Sequence, residues 1–67
     1  MYNFTSVSSS NVSGIYKDGN DLMVRFNSGS IYRYHGAGDH YNPMLAAPSK
    51  GKYLNEQIKG KYLCDEE

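Results

Sequence analysis

The chain has 67 residues with seven basic and seven acidic side chains, so its formal net charge at pH 7 is zero. This balance argues against the strongly basic class of nucleic-acid-binding domains, and the length allows one small domain that buries only about 60 % of its unfolded surface. Seven tyrosines and two phenylalanines are expected to supply much of the core, and no apolar run approaches the ~20 residues of a membrane-spanning helix.

The first predicted elements are β-strands. Residues 4–7 (FTSV) predict a short edge strand ahead of the polar segment at residues 8–11. Residues 12–17 are rich in β-forming side chains and precede the dense turn signal DGND at residues 18–21, so they predict a first hairpin. Ile15 and Tyr16 compete for the inward position on its first strand.

The central hairpin has the clearest periodicity. Leu22, Val24 and Phe26 alternate with more exposed residue types, which is the period of a half-buried strand. Residues 27–29 (NSG) suit a three-residue loop in which Gly29 takes the left-handed conformation. The resulting register pairs Phe26 with Ser30, Val24 with Tyr32, and Leu22 with Tyr34.

Opposed residues share a face of the sheet, so this register buries Tyr32 and Tyr34. A two-residue loop would instead bury Arg33 without a partner, at a cost of several kcal/mol. We therefore expect a structural aromatic core that comprises Phe26, Tyr32, Tyr34 and Tyr53. An exposed tyrosine platform that stacks on a ligand remains the alternative.

The outward face of this hairpin is predicted to display Met23, Arg25, Ile31, Arg33 and His35. Two arginines among apolar groups suit phosphate binding and base stacking, because a guanidinium does both. The competing interpretation is an ordinary solvated sheet face, or a face that a helix or a partner covers.

After the glycine-rich residues 36–38, the residue pattern changes from one typical of strands to one typical of helices. Asp39 is the expected N-cap of a first short helix, Pro43 fits within its first turn or so, and Pro48 ends it. Residues 44–47 (MLAA) favour helix in between.

A second helix is predicted from about Lys50 to Lys59, with Ser49 as its cap and Gly60 as its stop. One of its faces is apolar and comprises Tyr53, Leu54 and Ile58. The opposite face is polar and comprises Lys52, Asn55, Glu56 and Lys59. Tyr62 and Leu63 are expected to pack back on the domain as a strap.

The start of this second helix, residues 48–52 (PSKGK), has two interpretations. Simple capping by Ser49 is one. The other is an anion site, because a helix N-terminus offers free N–H groups and Gly51 lets an anion approach the backbone beside Lys50 and Lys52. The segment lacks the first glycine of the phosphate-binding loop of nucleotide hydrolases, so nucleotide hydrolysis is not supported.

Charge is unevenly distributed in this half of the chain. Residues 48–63 carry one acidic residue, Glu56, and four lysines, namely Lys50, Lys52, Lys59 and Lys61. This pattern indicates either a basic patch or a solvated helix face. Residues 64–67 form an acidic tail, which we expect to be mobile. The single cysteine, Cys64, and a start without signal-peptide features suit a reducing cytoplasm.

Several segments together resemble the KTSC domain, a family named for a C-terminal extension of some lysyl-tRNA synthetases and also found as small bacterial and phage proteins. The resemblance covers roughly residues 6–62. It rests on Ser9-Ser10-Asn11-Val12, Leu22-x-Val24-x-Phe26-x-x-Gly29, Tyr32-x-Tyr34, Ala47-Pro48-Ser49-Lys50-Gly51-x-Tyr53-x-Asn55 and Ile58-Lys59-x-x-Tyr62. The resemblance implies a domain of largely unknown function, with RNA binding suspected from the synthetase context.

Together the elements predict an α+β fold: a small antiparallel β-meander of three to four strands, followed by two short α-helices packed on one face. Residues 1–67 are expected to form a single domain. No catalytic constellation is visible, because His35 and His40 have no nearby cysteine or serine to activate. Two histidines on different elements supply too few ligands for a metal, so no metal or cofactor is expected.

We therefore expect a non-enzymatic binding domain in the cytoplasm, and two kinds of partner stay open. The first is a nucleic acid or nucleotide phosphate, for which the candidate residues are Arg25, Arg33, Ser49, Lys50, Gly51, Lys52, Asn55, Lys59 and Lys61. The second is a protein, bound through the outer sheet face as a homo-oligomer or, for a phage protein, a sequestered host factor. Phosphate binding should weaken steeply with salt, whereas an apolar interface should not.

Overall fold

The structure, a computed structural model, describes residues 4–7 and 11–67, so most of the polar segment, residues 8–10, lies outside the described residues. One antiparallel sheet has its strands in chain order. The strands are β1 (Thr5–Ser6), β2 (Val12–Asp18), β3 (Asp21–Phe26), β4 (Ile31–Tyr34) and β5 (Cys64–Glu66). The α+β class is confirmed, with five strands in place of the three to four predicted.

The first hairpin forms where the turn signal predicts it. Asp18 pairs with Asp21 across a two-residue turn in which Gly19 has a φ of 61°. Ile15 takes the inward position and is fully buried, whereas Tyr16 pairs with Met23 and is half-buried. An irregularity between Val12 and Gly14 shifts the register of β2 against β3.

The central hairpin has the predicted register. Val24 pairs with Tyr32 and Leu22 with Tyr34. The Phe26 N–H donates to the Ser30 carbonyl at 2.8 Å, and Gly29 closes the three-residue loop with a φ of 96°. A left-handed φ is strained for residues with a Cβ, so glycine at this loop position fixes which side chains of β4 face the core.

The first helix begins differently from the prediction. A 3-10 turn over Gly38–His40 precedes α1 (Tyr41–Ala46), and no side chain caps either element. Asp39 is exposed within the 3-10 turn, so its prediction as the N-cap is wrong. The cause is tertiary, because the Gly38 N–H donates to the Asn20 carbonyl at 2.8 Å and ties the turn to the first hairpin. Ala47, before Pro48, is extended and ends α1 as predicted.

The second helical segment changes type along its length. Ser49 caps α2 (Lys50–Tyr53), accepting a hydrogen bond from the Lys52 N–H at 3.3 Å. A π-helical stretch follows over Leu54–Ile58, in which the Lys59 N–H donates to the Leu54 carbonyl at 2.8 Å. Gly60, with a φ of 80°, then reverses the chain as predicted. Within the described ranges, no helix is long and apolar enough to cross a lipid bilayer.

The acidic C-terminal residues are ordered as a strand, so the prediction of a mobile tail is wrong. β5 pairs with β4 in antiparallel register, with Cys64 opposite Tyr34 and Glu66 opposite Tyr32. The Glu67 N–H extends the pairing by donating to the Ile31 carbonyl at 2.8 Å. Charge pairs across the strands support this pairing, because Glu67 lies 3.7 Å from Arg33 and Asp65 lies 2.7 Å from His35.

The core lies between one face of the sheet and the helical segments. The sheet contributes Val12, Ile15, Leu22, Val24 and Tyr34, and the helical half contributes Ala37, Met44, Leu54 and Ile58. Three of the predicted aromatic core residues, Phe26, Tyr32 and Tyr53, pack against this core but stay half-buried. Met23 lies on the other face between its register partners Tyr16 and Arg33; it is fully buried, so its predicted exposure is wrong.

Candidate functional site

An open groove of about 700 Å³ lies on the core side of the sheet, between the β3–β4 loop and the turn at Gly60. We call it the aromatic groove. Its lining combines aromatic rings, amides and hydroxyls with one lysine and one thiol: Asn11, Phe26, Asn27, Ser28, Ser30, Tyr32, Tyr34, Lys59, Gly60, Tyr62 and Cys64.

The floor of the aromatic groove comes from the central hairpin. Phe26 and Tyr32 meet edge to face, with ring centroids 5.6 Å apart and an angle of 83° between the planes. Both side chains are half-buried, whereas Tyr34 is 3 % exposed. The tyrosine pair was predicted either to be buried or to form an exposed stacking platform, and the two residues differ in this respect. Tyr34 belongs to the core, whereas Tyr32 packs against the core and also exposes part of its ring to the groove.

Burial also affects the chemistry of Tyr34. It raises the pKa of this phenol from 10.0 to about 12, because a phenolate loses its hydration among apolar neighbours, and the charges of Cys64 and Tyr32 act in the same direction. Tyr34 is therefore a neutral, structural phenol over the physiological pH range. Cys64, opposite Tyr34 on β5, is a free and exposed thiol.

Lys59 supplies the positive charge among the groove-lining residues. Its Nζ atom lies 5.9 Å from the centroid of the Phe26 ring, within the distance at which a cation is attracted to an aromatic face. The π-helical stretch and the turn at Gly60 place it there. Glu66 pairs with Tyr32 and so shares the sheet face of the groove floor, which brings a negative charge to the same side.

The far wall of the aromatic groove is Tyr62, which comes from the predicted strap. Its ring is half-buried against the core, and its hydroxyl lies 3.0 Å from His40 Nε2. Leu63, the second residue of that strap, does not pack back and is 81 % exposed. The strap prediction is thus confirmed for Tyr62 and wrong for Leu63.

Arg33 lies on the opposite face of the sheet and is held by carboxylates. Its guanidinium pairs with Asp21 at 2.8 Å, Asp18 at 2.9 Å and Glu67 at 3.7 Å. Asp21 also accepts a hydrogen bond from the Gly36 N–H, and this bond together with Arg33 holds the pKa of Asp21 below its ordinary value. His35 adds a contact with Asp65 of β5 at 2.7 Å. These charges join the first turn, β4 and β5.

Arg25, on the same face, is held by β2 and by Phe4, which precedes β1. It donates to the Ser13 hydroxyl at 3.0 Å and to the Ser13 carbonyl at 3.4 Å, and its guanidinium lies 5.0 Å from the Phe4 ring centroid. The structure therefore engages both predicted phosphate-binding arginines in internal contacts, on the face away from the aromatic groove.

Residues of the predicted anion site at 49–52 make contacts within the fold. Ser49 caps α2, and Lys50 Nζ donates to the Ala47 carbonyl at 2.7 Å. Gly51 is buried, and a Cβ atom there would lie 3.3 Å from the Asn11 side chain. Gly51 thus permits close packing against Asn11, which is a structural reason for a glycine at this position.

The remaining residues of the predicted phosphate-binding set are dispersed. Lys52 lines a shallow cavity of about 370 Å³ together with Tyr53 and Glu56, while Asn55 and Lys61 are exposed outside the aromatic groove. Lys59 is thus the predicted phosphate-binding residue that the structure brings to the groove. Among the described residues, no group of three histidine, cysteine or acidic side chains is placed to hold a metal ion.

Several groove residues were not identified from the sequence, namely Asn11, Asn27, Ser28, Ser30, Tyr62 and Cys64 as ligand-facing groups. Their position depends on contacts between distant segments. For example, the Asn27 N–H donates to the Asn11 carbonyl at 2.8 Å and joins the central loop to the start of β2. Asn11, Phe26 and Tyr62 all lie in sequence segments that carry the resemblance to the KTSC domain, and the fold brings the three residues together in the groove. That resemblance was the sequence signal from which the groove could have been found.

Comparison with known protein families matches residues 2–62 of the chain to the KTSC domain. Among solved structures, the chain is similar to a KTSC domain protein from Yersinia pestis, with 31 % sequence identity and a TM-score of 0.89. The match covers 100 % of this chain and 99 % of that one. A comparison with curated proteins finds no match.

Proposed function

The chain belongs to the KTSC domain family, and within that family we propose that it is a non-enzymatic binding domain for single-stranded RNA or a free nucleotide. The bound group is a nucleotide base held in the aromatic groove. The observation that carries the proposal is the Phe26–Tyr32 aromatic floor, accessible from the groove and flanked by Lys59.

The aromatic groove has the chemical groups that recognise an unstacked base. Bases stack on aromatic side chains with a gain of about 1–3 kcal/mol per base, and Phe26 and Tyr32 offer such rings. Amide and hydroxyl groups line the same groove, and single-stranded RNA is read through hydrogen bonds to its base edges. Lys59 supports one contact to a phosphate of the bound nucleotide.

The charge distribution makes stacking the main source of affinity. The outer-face arginines already pair with or contact other groups, and Lys59 shares its side of the sheet with Glu66. A single-stranded ligand loses affinity with salt at a slope of about −0.7 per neutralised phosphate. We expect one or two phosphates to be neutralised, so the slope should be shallow and the affinity moderate.

The proposal is tested by fluorescence anisotropy with a labelled mixed-sequence RNA hexamer and, in competition, unlabelled mononucleotides. Tyr32→Ala should weaken binding through lost stacking, and Lys59→Ala should weaken it and reduce the salt slope by about 0.7. Lys52→Ala is the matched control, because Lys52 is an exposed lysine of the same helical segment outside the groove.

Competition by mononucleotides would identify the ligand as a free nucleotide, and hexamer binding alone would identify it as RNA. A hexamer that binds wild type and Tyr32→Ala equally would contradict the proposal. So would absence of binding by every probe, or a loss in Lys52→Ala equal to that in Lys59→Ala.

A protein partner is the second candidate, and the observation that favours it is Leu63. This large apolar side chain is 81 % exposed beside the groove residue Tyr62. Two of the outer-face residues on which this alternative first depended are less available, because Met23 is buried and Arg33 is paired. If two copies of the chain associate through Leu63, that self-association should be insensitive to salt and should weaken in Leu63→Ser. Sedimentation velocity of the purified protein measures it.

A further inference from the structure

His40 lies between two tyrosine hydroxyls. Its Nδ1 atom is 2.8 Å from the Tyr53 hydroxyl, and its Nε2 atom is 3.0 Å from the Tyr62 hydroxyl. Both tyrosine rings meet the imidazole edge to face, with centroids 5.8 Å and 5.5 Å away. Both imidazole nitrogens therefore have a hydrogen-bond partner on a different segment of the chain.

We propose that His40 is a positioning residue for the aromatic groove, because it fixes the ring of Tyr62 as the groove wall. The inference rests on the proposed function, since the placement of a wall affects affinity only if the groove takes a ligand. We call the three side chains Tyr53, His40 and Tyr62 the histidine clamp.

The clamp joins the groove wall at Tyr62 to two other elements of the fold. His40 ends the 3-10 turn that Gly38 ties to the first hairpin, and Tyr53 ends α2. Tyr62 instead lies between the turn at Gly60 and β5, where its neighbours Lys61 and Leu63 are exposed. Tyr62 is thus the inward side chain of this segment.

Backbone bonds hold the chain on both sides of Tyr62. The Lys61 N–H donates to the Ile58 carbonyl at 3.0 Å, and the His35 N–H donates to the Leu63 carbonyl at 2.8 Å. These two bonds hold the chain on either side of Tyr62 but do not set its side-chain rotamer. Packing against the core holds the ring body, and the hydroxyl contact with His40 holds its polar end.

The clamp is compatible with either charge state of the imidazole. A neutral imidazole donates through one nitrogen and accepts through the other, and a tyrosine hydroxyl can do either. A protonated imidazole donates through both nitrogens to the two hydroxyl oxygens. Either hydrogen-bonding pattern keeps the Tyr62 hydroxyl at the same imidazole nitrogen.

The test compares two tyrosine hydroxyls that differ in their relation to the groove. Tyr62→Phe removes the clamp hydroxyl and keeps the ring. Tyr41→Phe is the matched control, because the Tyr41 hydroxyl makes a similar contact of 2.7 Å with the Thr5 hydroxyl and does not line the groove. Tyr62→Phe should weaken binding of the RNA hexamer about threefold to tenfold, the loss that corresponds to one hydrogen bond, and Tyr41→Phe should leave it unchanged.

A second measurement reads the clamp without a ligand. In Tyr62→Phe and in His40→Leu, the amide of His35 should exchange with solvent faster than in Tyr41→Phe, because its acceptor at Leu63 is held less firmly. His40→Gln, whose amide both donates and accepts, should restore part of the protection and part of the affinity.

The outcomes separate the clamp from the proposed function. If wild type binds no hexamer or nucleotide, the proposed function is wrong, and the exchange rates still decide whether the clamp holds the wall. Unchanged exchange at His35 in both clamp variants overturns the clamp. Faster exchange with unchanged affinity in a wild type that binds overturns the positioning role.

Discussion

Tyr32 and Tyr34 lie two residues apart on the same face of β4, but their surroundings differ. Tyr34 pairs with the buried Leu22 and is itself 3 % exposed. Tyr32 pairs with Val24 and meets Phe26 at the edge of the aromatic groove, where it remains half-buried. One strand thus supplies a core residue and a residue with an accessible aromatic surface.

Truncation of these two tyrosines should therefore have unequal effects. Tyr34→Ala should destabilise the protein by about 3–5 kcal/mol, the usual loss for a large core aromatic, and leave so small a domain largely unfolded. Tyr32→Ala should cost less stability and lose more ligand affinity. Urea denaturation followed by circular dichroism measures the first effect, and equal unfolding midpoints for the two variants would show that their assigned environments are wrong.

The raised pKa of Tyr34 predicts a dependence of stability on alkaline pH. The phenol has a pKa of about 12 when folded and an ordinary value of 10.0, so its contribution is fully present below pH 10 and is lost as the pH rises toward 12. Tyr34→Phe removes the ionisable group and should flatten this part of the stability profile. Thermal unfolding between pH 8 and pH 12 tests this, and parallel profiles for wild type and variant would contradict it.

The charged residues of β5 and the first turn form one connected network of ion pairs around Arg33. Arg33 on β4 contacts Asp18 and Asp21 on one side and Glu67, next to β5, on the other. From sequence alone, residues 64–67 present three acidic side chains in a row, a pattern typical of a solvated tail. Asp65 contacts His35 and Glu67 contacts Arg33, each far earlier in the chain, so a local sequence pattern does not reveal this cross-strand pairing.

Asp21 makes the acid stability of this charged element testable. Its pKa is lowered from 3.8 by the Gly36 N–H and then by Arg33, so its contribution is present above pH 3.8 and is lost as the pH falls through the lower folded value. Asp21→Asn should reduce the loss of stability in acid and lower stability at pH 7. Melting temperatures from pH 2 to pH 7 measure this, with Asp39→Asn as an exposed control; an identical acid limb in wild type and Asp21→Asn would refute it.

At the scale of the whole molecule, the structural features that depend on residues close together in the sequence could be predicted from the sequence. The register of the central hairpin depends on a three-residue loop with Gly29, and the end of α1 depends on Pro48, so both were predictable. The start of α1 was not, because a hydrogen bond to Asn20 replaces the local cap at Asp39. The π-helical stretch was also not predictable, since one turn of apolar spacing does not distinguish it from an α-helix.

The same division explains the predicted site. The number of cationic residues suggested a basic surface, but the number does not show which group each cationic side chain contacts. Arg25 and Arg33 hold strands together, Lys50 binds a helix end, and Lys59 reaches the groove. The aromatic groove forms where three distant segments of the chain meet, so its lining residues could be identified only from the folded structure.

The central claim, that the aromatic groove binds a nucleotide base, is tested most directly by amide NMR shifts during titration with the RNA hexamer and with mononucleotides. We predict that the largest shifts arise in residues 26–32 and 59–64, the segments that line the groove. They should be absent or much reduced in Tyr32→Ala. Shifts centred on residues 49–52, shifts centred on the outer-face strands around Arg25 and Arg33, or no shifts with any of these ligands would contradict the account.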